Sequence, residues 1–145
     1  MKLAAILKSK GGSILSVTPA TKISDVISLL AEKRIGAVIV TGADGQLEGI
    51  LSERDIVRML AARSAATFEM TADELMTRNP RVTSPDSTVA QAMEMMTDGR
   101  FRHLPVVEGG KLVGLVSIGD VVKARIDQQE MEVDSLRAYV AGGVN

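Results

Sequence analysis

The chain has 145 residues, 46% of them hydrophobic, which is enough to bury the core of one ordinary domain. Seventeen basic residues against eighteen acidic ones leave a formal charge of −1, and Phe68, Phe101 and Tyr139 are the only aromatics. That balance excludes a general phosphate-backbone binder and a stacking platform for single strands, and the absence of cysteine excludes disulfides, thiolate catalysis and Cys-based zinc sites.

In chain order, residues 1–10 hold an apolar run, Leu3 to Leu7, too short for a cleaved leader and far too short to span a bilayer. The expectation is a helical segment over residues 4–8 of a cytoplasmic protein that engages no membrane and no nucleic acid. An extended piece follows over residues 14–17, ending before Pro19. Ile23, Val26, Ile27 and Leu30 then recur at the spacing of a helix face. Two apolar runs, residues 37–40 and 47–51, flank the glycine turn Gly42-Ala-Asp-Gly45 and read as paired strands. A second helix is expected from Glu53 to about Ala62, then a linker over residues 64–71 and a short turn over 72–76.

The same order then repeats. An extended piece ends before Pro85, and Val89, Met93 and Met96 mark a helix face. Strands over 104–107 and 112–116 flank Gly109-Gly110, and a helix starts at Ile118. Residues 127–139 are expected to extend that helix or to meet a partner, and the tail from Gly142 to Asn145 to fray. The duplication is explicit in the residues: Gly49-Ile-Leu-Ser52-Glu-Arg-Asp55 returns 65 residues later as Gly114-Leu-Val-Ser117-Ile-Gly-Asp120. The fold class is therefore α/β, a strand–helix–strand–strand–helix unit written twice. The segments are residues 1–12 (helical), 13–63 (first repeat), 64–75 (linker), 76–126 (second repeat) and 127–145 (helix extension and tail). Two such units packed together create two quasi-equivalent clefts.

Ser-x-x-Asp at a strand–helix junction is first of all a capping box, with Ser52 and Ser117 at the N-caps and Asp55 and Asp120 in the first turns. The same geometry also makes an anion site, because free N–H groups and a Ser hydroxyl can meet a phosphate, while the Asp can accept from a ribose diol. Finding it twice, each time with a Gly three residues before the Ser, favours the functional reading. Arg100, Arg102 and His103 form the only local basic cluster beside an apolar strand and could neutralise a phosphate. Lys10, beside Gly11-Gly12, could reach one too, although a flexible surface lysine is the ordinary reading. A single histidine excludes a multi-His metal site, and no G-x-G-x-x-G, P-loop, H-E-x-x-H or G-x-S-x-G is present. No catalytic residues and no metal ligands are assigned.

The run Met76-Thr, Asn79-Pro, Val82-Thr-Ser-Pro-Asp-Ser-Thr-Val, then Arg102-His-Leu-Pro-Val-Val and Gly114-Leu-Val-Ser-Ile-Gly-Asp120 resembles a CBS domain. The run from Ile35 to Asp55 resembles another, and together they cover about residues 7–126. The whole is similar to stand-alone bacterial tandem CBS pairs (Bateman modules). That resemblance implies two repeats about a pseudo-two-fold axis, a homodimer, and adenine nucleotides in the clefts. AMP comes first among these, with ADP, ATP, NAD(H) or S-adenosylmethionine as other candidates. It also implies a protein regulated in trans. Carried over, one site uses Ser117, Asp120, Arg102 and His103 with Thr18, Ile35 and Gly36. The other uses Ser52, Arg54 and Asp55 with Ser84, Val89 and Phe101.

The expected function is a non-catalytic sensor of adenine nucleotides. The rival is a structural interaction module whose clefts stay empty and whose Ser-x-x-Asp motifs only cap helices. The clefts should differ. Two basic groups, Arg102 and His103, are expected beside Asp120, suiting a monophosphate, and one, Arg54, beside Asp55, suiting a longer pyrophosphate ligand. Met93 and Met96 are available for a dimer face.

Overall fold

Helix α1 (Leu3–Lys10) opens the computed structural model, which describes residues 1–11 and 14–142. The first repeat follows as β1 (Ser16–Val17), α2 (Ile23–Lys33), β2 (Ala37–Thr41), β3 (Leu47–Ser52) and α3 (Glu53–Arg63). A 3₁₀ turn (Ser64–Glu69), α4 (Ala72–Leu75) and β4 (Thr77–Arg78) lead into α5 (Val89–Gly99), β5 (His103–Glu108), β6 (Lys111–Ser117) and α6 (Ile118–Gly142). The protein is thus a mixed α/β tandem repeat, and α6 extends the last helix as far as Gly142. The expected fraying of residues 143–145 lies outside the described residues.

In the first repeat β1 runs parallel to β2, β2 antiparallel to β3, and β3 antiparallel to β4, which comes from beyond the linker. In the second, β5 and β6 pair antiparallel, and Thr83 makes a single parallel bridge to Val106 at the place that β1 holds in the first. Val38 and Val40 point toward α2 and α3, and the intervening Ile39 is wholly buried outside both cores. Both faces of β2 are therefore covered, which is why its sequence reads as an unbroken apolar run.

Each repeat owns a core, and each core is completed by the segment that precedes the other repeat. Leu3 and Ile6 of α1 join Val89, Ala92, Met96, Leu104, Val106, Val116 and Val121. Ala72, Leu75 and Met76 join Ile23, Val26, Val38, Val40, Leu51 and Ile56. The backbone repeats the exchange. Val89 N–H donates to Met1 O (2.9 Å) and Leu3 N–H to Ser87 O (2.9 Å), as Ile23 N–H does to Met70 O (2.8 Å) and Ala72 N–H to Thr21 O (2.8 Å).

Two stretches differ from their sequence reading. The linker coils into the 3₁₀ turn because Thr67 is wholly buried and its hydroxyl donates to Met59 O, a tertiary contact with no periodic signal. Residues 72–76 begin as a helical turn closed by a capping box between Thr71 and Glu74. Met96, expected to be free for a dimer face, is 2% exposed in the second core, and Met93 packs against that core. Among the described residues, no helix is long and apolar enough to cross a membrane.

Candidate functional site

Both Ser-x-x-Asp motifs sit where a strand hands over to a helix. Asp55 N–H donates to Ser52 Oγ (3.4 Å), and Asp55 Oδ2 accepts from the Ser52 N–H (2.8 Å) and hydroxyl (3.0 Å). Asp120 N–H donates to Ser117 Oγ (3.1 Å), and Asp120 Oδ2 accepts from the Ser117 N–H (2.8 Å). Capping therefore engages one oxygen of each carboxylate. Among the described residues, Oδ1 of each accepts no hydrogen bond and is available to a diol.

Each junction opens into a cavity between the repeats. The Asp120 cleft, about 420 Å³, gathers Ser117 and Asp120 with Ile35, Gly36 and His103 from the expected set, and adds Leu7, Lys10, Ile14, Leu15 and Arg34. The Asp55 cleft, about 390 Å³, gathers Ser52, Arg54, Asp55 and Phe101, and adds Arg58, Thr77, Asn79, Pro80, Arg81 and Arg100. Both volumes fall in the range of small-ligand sites. Gly36 and His103 line both cavities and form the partition between them. A Cβ at Gly36 would lie 3.4 Å from the His103 ring, so a methyl there would just touch the partition and only a larger side chain would crowd it.

Arg102 departs from its expected place: it lines the Asp55 cleft and not the Asp120 cleft. The duplication explains why. Arg102 aligns with Gly36, and equivalent residues must serve opposite clefts. Three further residues line neither cavity. The Thr18 hydroxyl bonds that of Thr21, and Ser84 Oγ accepts from Asp86 N–H, so each closes the turn before a helix. Val89 is 1% exposed in the second core and faces no ligand space.

The charges now divide differently. The Asp55 cleft is lined by Arg54, Arg58, Arg81, Arg100 and Arg102 against Glu53 and Asp55. At the equivalent positions the Asp120 cleft has Gly119, Lys123, Leu15, Arg34 and Gly36, and of these Gly119 and Lys123 do not line it. Its second cation is Lys10, which is no loose surface lysine: Nζ donates to Asp120 Oδ2 (2.7 Å) and to Leu115 O (2.9 Å). Burial works against ionisation of Asp120, but the Lys10 ammonium and the Ser117 donors outweigh it and hold the carboxyl below its ordinary value. Burial also lowers His103. Glu53 and Asp120 oppose that effect, and Lys10 and Arg102 reinforce it.

The base-sized surfaces are apolar. Phe101 faces the Asp55 cleft with the Arg81 guanidinium 5.9 Å from its ring centre, and Ile35 takes the equivalent place in the other cleft. Sequence reasoning missed Arg34, Arg58 and Arg81 altogether and set the cluster containing Arg100 beside Ser117 and Asp120, whereas Arg100 lines the Asp55 cleft. Arg34 and Arg100 end α2 and α5 at matched positions with φ of 54° and 55°, in the left-handed region. Two arginines in register where a helix stop normally takes glycine were a readable sign of purpose. Arg81 gave no such sign, because its place depends on the turn at Asn79 (φ 48°).

Comparison with known proteins agrees with this architecture. A solved CBS-domain-containing protein from Agrobacterium tumefaciens is 44% identical, with a TM-score of 0.83 over 86% of this chain and 92% of its own. A CBS domain protein from Pyrobaculum aerophilum, solved as a complex with AMP, is 28% identical, with a TM-score of 0.74 over 83% of this chain and 89% of its own. A mitochondrial CBS domain-containing protein from Arabidopsis thaliana is 34% identical over 95% of this chain and 71% of its own length. Longer Arabidopsis relatives match as well, and the chain spans only 23% of one that is 32% identical. The CBS domain family matches residues 11–62 and 72–127, and the chain belongs to it as a tandem pair.

Proposed function

We propose that the protein is a non-catalytic regulatory module that binds adenine nucleotides in its two clefts and passes their occupancy to another protein in trans. One observation carries the reading. Each nucleotide-sized cavity places a capped Asp with an open carboxylate oxygen, an apolar side chain for a base and cationic groups for phosphate around one space. The AMP held by the Pyrobaculum aerophilum relative supports it. In this proposal Ser52, Arg54, Asp55, Phe101 and Arg102 serve one site, and Ile35, Gly36, His103, Ser117 and Asp120 the other. Thr18, Ser84 and Val89 act only through the turns and the core.

The arginine set makes the Asp55 cleft the site for ligands with two or more phosphates, ADP, ATP or NAD(H). The Asp120 cleft, with Lys10, Arg34 and His103, suits AMP. The cytoplasm is the compartment we propose.

The completed capping boxes and the Lys10–Asp120 pair favour a second reading, a structural module whose motifs only cap helices. Thermal unfolding with AMP, ATP and NADH separates the two. A ligand at a hundred times its dissociation constant should stabilise the fold by about 2.7 kcal/mol. A midpoint that moves with none of the three at millimolar concentration returns the structural reading to first place.

A further inference from the structure

From residue 129 to 142 every side chain of α6 is exposed, so the end of this helix leaves the body of the repeat pair. At ~1.5 Å per residue the free stretch is about 21 Å long. A helix of that length is marginal in water without a partner surface. Its surface is not uniformly polar. Val122, Ile126, Val133, Leu136 and Val140 are exposed at 39, 48, 46, 63 and 63%. With Gln129 they step by four, three, four, three and four residues, the spacing of a coiled-coil seam. The stripe lies roughly a third of a turn from the face that Val121 and Ala124 bury, so the body does not cover it.

The residue types select the partner. Ile126, Val133 and Val140 fall at one seam position, and Val122, Gln129 and Leu136 at the other. β-branched residues at the first with Leu at the second favour two parallel strands, and a lone polar seam residue fixes register. The flanking charges agree. In a parallel, in-register pair each first-flank residue faces the residue five places on in the other helix. That sets Arg125 against Glu130 and Glu132 against Arg137, opposite charges at both places. We propose that the end of α6 is a homodimer interface, an in-register parallel two-stranded coiled coil with a second copy of this chain.

The absence of cysteine gives a clean test. Leu136→Cys, the sole thiol, should convert most of the full-length protein to a covalent dimer on mild oxidation, while Met131→Cys, on the outer face, stays uncrosslinked. Arg137→Glu should weaken the dimer about threefold to tenfold in sedimentation, and adding Glu132→Arg should restore it. Val133→Asp with Leu136→Asp should give a monomer that keeps any nucleotide-induced thermal shift. The dimer test and the nucleotide reading therefore fail independently. A wild-type monomer at tens of micromolar, a dimer that Leu136→Cys does not trap, or equal crosslinking through Met131→Cys overturns the proposal.

Discussion

The two clefts descend from one repeated motif, yet they differ in what completes them. Beside Asp55 the chain lays β4 along β3, and arginines from both repeats face the cavity. Beside Asp120 the equivalent segment stays helical through Lys10, and among the described residues no strand pairs with the outer edge of β6. There the Lys10 ammonium serves the Leu115 carbonyl, whose counterpart Ile50 pairs with Thr77 in the first sheet. The lesson is that the duplicated Ser-x-x-Asp places a capped carboxylate in each cleft, while differences between equivalent positions, Arg54 for Gly119, Arg81 for Leu15 and Arg102 for Gly36, set how much charge surrounds it.

Differences between the halves also govern stability. Leu3, wholly buried, completes the second core, whereas its equivalent Ala72 completes the first with a methyl group. Leu3→Ala should cost about 2–5 kcal/mol in urea unfolding, because the large side chain cannot be replaced from within the repeat. A loss below 1 kcal/mol would mean that α1 is not an integral part of that core.

The glycine before each Ser gives the next contrast. A Cβ on Gly49 would lie 2.8 Å from the Thr77 carbonyl oxygen and 2.6 Å from Met76 Sδ, so β4 itself would have to move. A Cβ on Gly114 would meet the end of the Leu7 side chain, which can rotate away. Gly49→Ala should therefore destabilise by about 1–3 kcal/mol and Gly114→Ala by less. The reverse order in chemical denaturation would contradict the strand-against-helix distinction.

The smallest effects lie in pH. His103 is lowered in the folded state, so the unfolded chain binds more protons below the ordinary value of 6.5. Stability from this group is complete above 6.5 and falls as pH drops toward the folded value. Asp120 is lowered too, so its contribution is complete above the ordinary 3.8 and is lost as pH falls through the folded value. Lys10→Met should flatten the acid limb, and His103→Gln the limb just below 6.5. Unchanged limbs in denaturant titrations of both variants would show that neither group is linked to folding.

Much of this was readable in the residues. The doubled motif, the apolar runs of β2 and β5 and the three-to-four spacing of α2 and α5 predict the order of elements, because local periodicity and turn chemistry act in sequence. The assignment of Arg102 differs because the pseudo-symmetry exchanges partners between clefts: Arg102 aligns with Gly36, and only His103 beside it reaches both cavities. Arg81 was missed, and Lys10 was read chiefly as a surface lysine, for a different reason. Their roles depend on whether a short approach segment ends as strand or helix, which edge pairing decides and local propensity does not. Val89 carries the reverse lesson: a residue at a matched position in both repeats can be matched because it fills a core.

The unequal clefts are tested most directly by calorimetry of Asp55→Ala and Asp120→Ala, each titrated with AMP and with ATP. Removing a charged acceptor of ribose hydroxyls should cost roughly 1.5–3 kcal/mol, or about tenfold to a hundredfold in affinity. The expected result is that Asp55→Ala loses ATP and keeps AMP, while Asp120→Ala loses AMP and keeps ATP. If both variants lose both ligands equally, or neither loses either, the clefts are not distinct nucleotide sites.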